Sequence, residues 1–132
     1  GTLGTKPKTK KIKNYVNWFE IPVLDLKRAM AFYNHMYDIK MEMAELNKYA
    51  MAFFPTNDGV GGALVMGPGS VPSETGSLIY LNGGENLQVL LTKIPSAGGR
   101  VIMEKTKIDD ESGYFALFID TEGNKLALHS NK

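Results

Sequence analysis

Residues 15–37, YVNWFEIPVLDLKRAMAFYNHMY, change their hydrophobic period part-way along, and that change decides the fold. As far as Val23 the chain alternates. Val16, Trp18, Glu20 and Pro22 fall on one side and Asn17, Phe19, Ile21 and Val23 on the other, as in a strand. Asp25 then supplies an N-cap, and Leu26, Ala29, Met30, Tyr33 and Tyr37 recur at helical spacing. Short strands are predicted at 39–44, 48–55 and 61–66, the last two joined through the Asn57-Asp58-Gly59 turn. The order is strand, helix, three strands.

The same order returns after the loop GPGSVPSETG at 67–76. A strand is predicted over 77–82, then a helical stripe of Leu87, Leu90, Leu91 and Ile94 that stops before PSAGG. Strands near 100–107, 113–119 and 124–130 follow, and DTEG answers the earlier TNDG. A shift of 64 residues lays Ala52 on Ala116, Phe54 on Phe118, Asp58 on Glu122, Gly59 on Gly123, Ala63 on Ala127 and Leu64 on Leu128. Small and apolar residues often match by chance, so the repeated order of elements carries more weight than the matches themselves.

A βαβββ unit covers one face of its sheet with its single helix and leaves the other face open. The expected class is therefore α+β: two tandem βαβββ modules forming a curved, continuous mixed sheet around a central cup, with the helices outside. Phe19, Ile21, Val23, Ile79 and Leu81 are expected to meet the helices, which turns Trp18, Glu20, Leu78 and Tyr80 into the cup. A carboxylate can then stand in an otherwise apolar strand because its face looks into a hollow. The expected organisation is a basic tail, disordered or left over from expression, at 1–14 and a single domain at 15–131. Within that domain, module one is 15–66, the linker 67–76 and module two 77–131.

Composition bounds the function. The 132 residues contain no cysteine, which excludes disulfides, thiolate metal sites and cysteine nucleophiles. Apolar residues at 43% and charged residues at 22% fit a globular protein. No apolar run reaches the ~20 residues of a membrane span. A cytoplasmic protein with no membrane partner is expected. Lys6, Lys8, Lys10, Lys11 and Lys13 crowd the first thirteen residues, and without those five the formal net charge of +1 becomes about −4. No basic face backs the tail, so nucleic acid is not an expected partner.

The segments VNWFEIPVLDLKRAMAFYNHMYDIKM, GVGGALVMGP, AGGRVIMEKTKI and GYFALFIDTEGNKLALHS resemble the vicinal oxygen chelate superfamily, which includes glyoxalase I, extradiol dioxygenases and bleomycin-resistance proteins. The likeness is nearest to small glyoxalase-like bacterial proteins, and it rests most on the strand leading into D-L-x-R-A-x-x-F-Y and on the closing D-x-E-G-N. It implies a homodimer and a small-molecule ligand. It also implies a divalent metal (Mg, Mn, Ni, Zn or Fe), when one is bound, on His, Glu or Gln side chains in the cup. Carried over position by position, those ligand places hold Trp18, Ala63, Leu78 or Ile79, and Ala127, none of them a usual donor.

Two residues further along their strands lie Glu20 and His129, on the same face and displaced ~6.5 Å. They are the candidate catalytic and metal-binding residues. Glu20 could act as a general base, a metal ligand or a satisfied structural carboxylate; His129 could shuttle a proton, ligate a metal or merely close the last strand. Two side chains make a poor zinc site, and a hard cation would have to retain water, so no tightly bound metal is the preferred expectation. Trp18, Tyr80, Ala63 and Val65 are expected to line the cup, and Glu74 to sit in a lid formed by the linker. Tyr49 and Tyr114 are read as core, and His35 as an ordinary surface histidine. Three functions are compatible with this: a lyase or isomerase that takes a proton from carbon next to a carbonyl, a non-catalytic binder of a small molecule, and a folded module for partner binding.

Overall fold

The computed structural model describes residues 9–132. The expected basic tail lies largely outside them, and its described part, residues 9–14, is exposed and has no regular structure.

The first element, β1 (Trp18–Pro22), is a short strand whose helix side carries Ile21, buried like Val23 beyond it. Asp25 caps α1 (Leu26–Tyr37) by accepting the Arg28 N–H, and the helix ends at Asp38, in the left-handed region at φ 55. Its buried face is Leu26, Ala29, Phe32, Tyr33 and Met36. Met30 and Tyr37, which the spacing also suggested, sit at the margin of that face. The unit closes with β2 (Glu42–Leu46), β3 (Tyr49–Phe53) and β4 (Gly61–Met66) in a sheet of order β1-β4-β3-β2, with β1 parallel to β4 and the remaining pairs antiparallel.

The second unit has β5 (Tyr80–Asn82), α2 (Leu87–Leu91), α3 (Lys93–Ser96), β6 (Arg100–Asp109), β7 (Gly113–Ile119) and β8 (Lys125–Ser130), in the sheet order β5-β8-β7-β6. The repeat extends to the ladder itself. Ala52 faces Leu64 across β3–β4 and Ala116 faces Leu128 across β7–β8, and all four are fully buried. Glu20 faces Ala63, and Tyr80 faces Ala127, so Tyr80 is the counterpart of Glu20.

Three expectations need correction. The helical stripe of the second unit is two short helices, because Pro95 has no N–H to offer the Leu91 carbonyl and its ring clashes with a continued turn. The strand expected over 77–82 is laddered only at Tyr80–Asn82. Among the described residues the sheet is not continuous: two four-stranded sheets form, β1 and β5 do not pair, and a groove runs between them.

The units are held by other means. Phe32 of α1 packs against Phe118 of β7 with ring centroids 6.1 Å apart, within one buried cluster drawn from both units. Around it runs a clasp supplied by the D-x-E-G-N turn between β7 and β8. Glu122, its side chain fully buried, accepts from the Leu24 and Asp25 backbone N–H groups at 2.9 and 2.8 Å, at the N-terminal end of α1. It also takes Arg28 bidentately at 2.8 and 2.9 Å. Asp120 accepts the buried Tyr33 hydroxyl, and Asn124 donates to the Pro22 carbonyl. A carboxylate at a helix N-terminus satisfies orphan N–H groups and favours the helix dipole, which gives this turn its structural value.

Candidate functional site

The groove between β1 and β5 takes side chains of both parities: Trp18, Glu20, Leu78 and Tyr80 as expected, and with them Phe19, Ile79 and Leu81, which were expected to meet the helices but stand at the open sheet edges. It is a hollow of about 810 Å³. Trp18, Glu20, Val60 and Gly61 line it from the first unit, and Leu78 and Tyr80 from the second. Trp18 is 46% exposed and Tyr80 54%, unusual for large rings and the expected consequence of facing an open cavity. The indole leans on Phe53 at 6.2 Å and lies along β4 above Gly61, where a Cβ would come 3.0 Å from the ring. The Tyr80 ring is 6.5 Å from Phe115.

Among the described residues, Glu20 is the only carboxylate in this lining. Its Oε2 accepts from Trp18 Nε1 at 3.3 Å, and its Oε1 has no partner among the described residues. Tyr37 contributes from the helix side, where its hydroxyl donates to the Asn82 carbonyl at 2.7 Å and burial holds its pKa well above the usual phenol value. Beneath the 67–76 loop lies a smaller hollow of about 210 Å³, which shares Glu20, Ser77 and Ile79 with the larger one and adds Lys125 and Asn124.

His129 is elsewhere. Its Nε2 is 2.5 Å from the Ser112 carbonyl oxygen, and it lines a recess of about 480 Å³ with Asn82 and Gly84. That recess meets the large hollow only at Tyr80, Leu81 and Asn82, and no hydrogen bond joins His129 to Glu20. Ala63 is 0% and Val65 7% exposed, so both lie under their strand neighbours and line neither hollow. Glu74 is exposed on the loop and also outside both linings, where Val71, Ser73 and Gly76 represent that loop instead. Tyr49 is more exposed than a core tyrosine, its hydroxyl donating to the Pro68 carbonyl, whereas Tyr114 packs at the core margin under Lys105. His35 makes a surface contact with Ser96.

The residue that sequence reasoning passed over is Lys125. It stands on β8 with the same parity as Ala127 and His129, since Leu126 and Leu128 are buried on the opposite face. Stepping from Ala127 toward the strand's start rather than its end would have found it.

A divalent metal does not fit the donors present. The family's ligand places hold Trp18, Ala63, Leu78 or Ile79, and Ala127, the pair Glu20 and His129 is divided between recesses, and no group of three His, Cys, Asp or Glu among the described residues could hold an ion. Neither, among the described residues, is there a helix long and apolar enough to cross a membrane.

Comparison with known proteins agrees with this architecture. The profile of the Glyoxalase/Bleomycin resistance protein/Dioxygenase superfamily matches residues 15–128. No curated protein matches the chain. Among solved structures, glyoxalase I of Zea mays, as its E144Q mutant, superposes with a TM-score of 0.69 at 21% identity over 89% of this chain; the chain spans only 45% of the maize protein. A hypothetical protein of S. aureus superposes at 0.64 and 24% identity, covering 92% of this chain and 95% of its own. The trypanothione-dependent glyoxalase I of Leishmania major gives 0.64 at 20% identity, covering 90% of this chain and 88% of its own. At these identities the likeness is one of fold.

Proposed function

The chain belongs to the Glyoxalase/Bleomycin resistance protein/Dioxygenase superfamily, and from that footing we propose that it binds a small, largely apolar molecule with a planar ring in the hollow between β1 and β5. The observation that carries this reading is the pair of half-exposed rings, Trp18 and Tyr80, that line a hollow of about 810 Å³ with one carboxylate in it. Apolar cavities with a few convergent polar groups are the usual form of a ligand site. Members of the superfamily commonly form dimers, and a homodimer is part of the proposal, supported by the exposed Leu46, Tyr49 and Phe53 along the first sheet. Trp18 is the chain's single tryptophan, so its emission reports on the site directly. Titration with 3-phenylpropanol should give a saturable change in Trp18 emission, and Tyr80→Ala should weaken binding about tenfold, the scale of one lost ring contact. An unchanged or strictly linear response would overturn the proposal.

The unpartnered Oε1 of Glu20 favours a second, catalytic reading, of the lyase or isomerase kind. A carboxylate facing an apolar wall can take a proton from carbon next to a carbonyl. His129, engaged with Ser112 in another recess, has no part in that step. Incubation with phenylacetone in deuterium oxide should then replace the benzylic hydrogens, read by NMR, and Glu20→Gln should slow the exchange by at least about a hundredfold. Exchange at the same rate in the variant would remove Glu20 as the base and leave simple binding.

A further inference from the structure

We propose that the small hollow beneath the 67–76 loop is the head-group site for a zwitterion of the amino-acid type, with Lys125 holding its carboxylate and Glu20 its ammonium. This site extends the larger hollow and therefore rests on the occupancy proposed for that hollow. Glu20 and Lys125 line the same space of about 210 Å³, and Glu20 lines the large hollow as well. Their charges are opposite, yet among the described residues they form no ion pair, and the Lys125 ammonium makes no hydrogen bond. Two unlike charges that share one hollow without meeting leave room for a group complementary to both.

Other features of the hollow agree. The nearby polar side chains are already committed: Asn124 accepts the Ser73 N–H, donates to the Pro22 carbonyl and bonds Asp120, while the Ser73 hydroxyl accepts from the Gly76 and Thr75 N–H groups. They shape the walls and leave Lys125 and Glu20 as the charged groups with unused capacity, with the Ser77 hydroxyl beside them. Both stand at strand positions, so their Cα atoms are fixed by the ladders, Glu20 opposite Ala63 and Lys125 opposite Ile119. A ligand whose ring lies between Trp18 and Tyr80 can place its polar end at Glu20, the junction of the two hollows. The ligand is thus an aromatic amino acid or a close analogue carrying both a cationic and an anionic group.

Four probes separate the parts: L-phenylalanine, phenethylamine, 3-phenylpropionate and the neutral 3-phenylpropanol. Each is titrated against Trp18 emission, which these phenyl compounds do not obscure. L-Phenylalanine should bind about tenfold or more tighter than either singly charged probe, since each head-group contact is a charge-assisted hydrogen bond. Lys125→Met should weaken L-phenylalanine and 3-phenylpropionate by about tenfold and leave phenethylamine unchanged, while Glu20→Gln should weaken L-phenylalanine and phenethylamine by about tenfold without weakening 3-phenylpropionate. Equal affinity for all four probes, or variants that shift all four alike, would overturn the head-group site while leaving the ring site standing. Failure of every probe, 3-phenylpropanol included, would overturn both.

Discussion

Glu122 shows how one side chain can be decisive without touching the candidate site. Burial alone would raise its pKa, but the Arg28 guanidinium, the Asp25 and Leu24 N–H groups and the Thr121 hydroxyl outweigh burial and lower it to about 2. Because the folded value lies below the ordinary one, the group's contribution is fully present above about pH 4.5 and is lost as pH falls toward 2. That contribution is of the order of 3 kcal/mol. Glu122→Gln should lower unfolding free energy by about 2–4 kcal/mol at pH 7 and flatten the acid limb between about pH 4.5 and pH 2, as measured by urea titration at a series of pH values. A variant as stable as the parent, with the same acid limb, would show that the clasp contributes nothing. At this scale the sequence was partly legible. Strand parity identified Trp18, Glu20 and Tyr80 correctly as side chains turned away from the core. It could not say how far apart two such side chains stand, and so Glu20 and His129 were paired although β8 carries His129 into another recess.

Among the elements, agreement was closest where hydrophobic period and caps reinforce each other. Asp25 and the spacing after it place α1, which begins at Leu26 and reaches Tyr37, and the strand expected at 113–119 is found there. Agreement failed where a backbone donor was missing, at Pro95, and where pairing depends on a partner strand, at 77–82. On β4, Gly62 has a specific neighbour: any Cβ there would overlap the Phe19 ring. Gly62 is itself buried, and Phe19 stacks on Phe54 at 5.5 Å, so the ring has little freedom to retreat. Gly62→Val should therefore destabilise the fold by about 1–3 kcal/mol despite the favourable strand propensity of valine, a difference that chemical denaturation resolves. A stabilised variant would mean that β1 and β4 can separate without cost.

At the scale of the whole molecule, the two sheets formed by the described residues do not join edge to edge, and the walls of the hollow keep their spacing because of what lies behind them. Phe32, Tyr33 and Met36 from α1 share one buried cluster with Ile94, Phe118 and Leu128 from the second unit, and Tyr33 donates to Asp120 across the same boundary. Burial pushes the Tyr33 hydroxyl pKa well up, with Asp120 adding to the effect, so the phenol keeps its proton and goes on donating to Asp120 through the physiological range. A core shared in this way should make the two units unfold together. Trp18 emission reports on the first unit, and amide exchange along β8 reports on the second. Their urea midpoints should coincide, and Phe32→Ala should lower both equally, by the amount that corresponds to a loss of about 3–5 kcal/mol in unfolding free energy, the cost of emptying an aromatic core position. If instead Trp18 changes well before β8 loses protection, the units melt separately. The separation between Trp18 and Tyr80 would then be set by the linker and the Glu122 clasp rather than by the core.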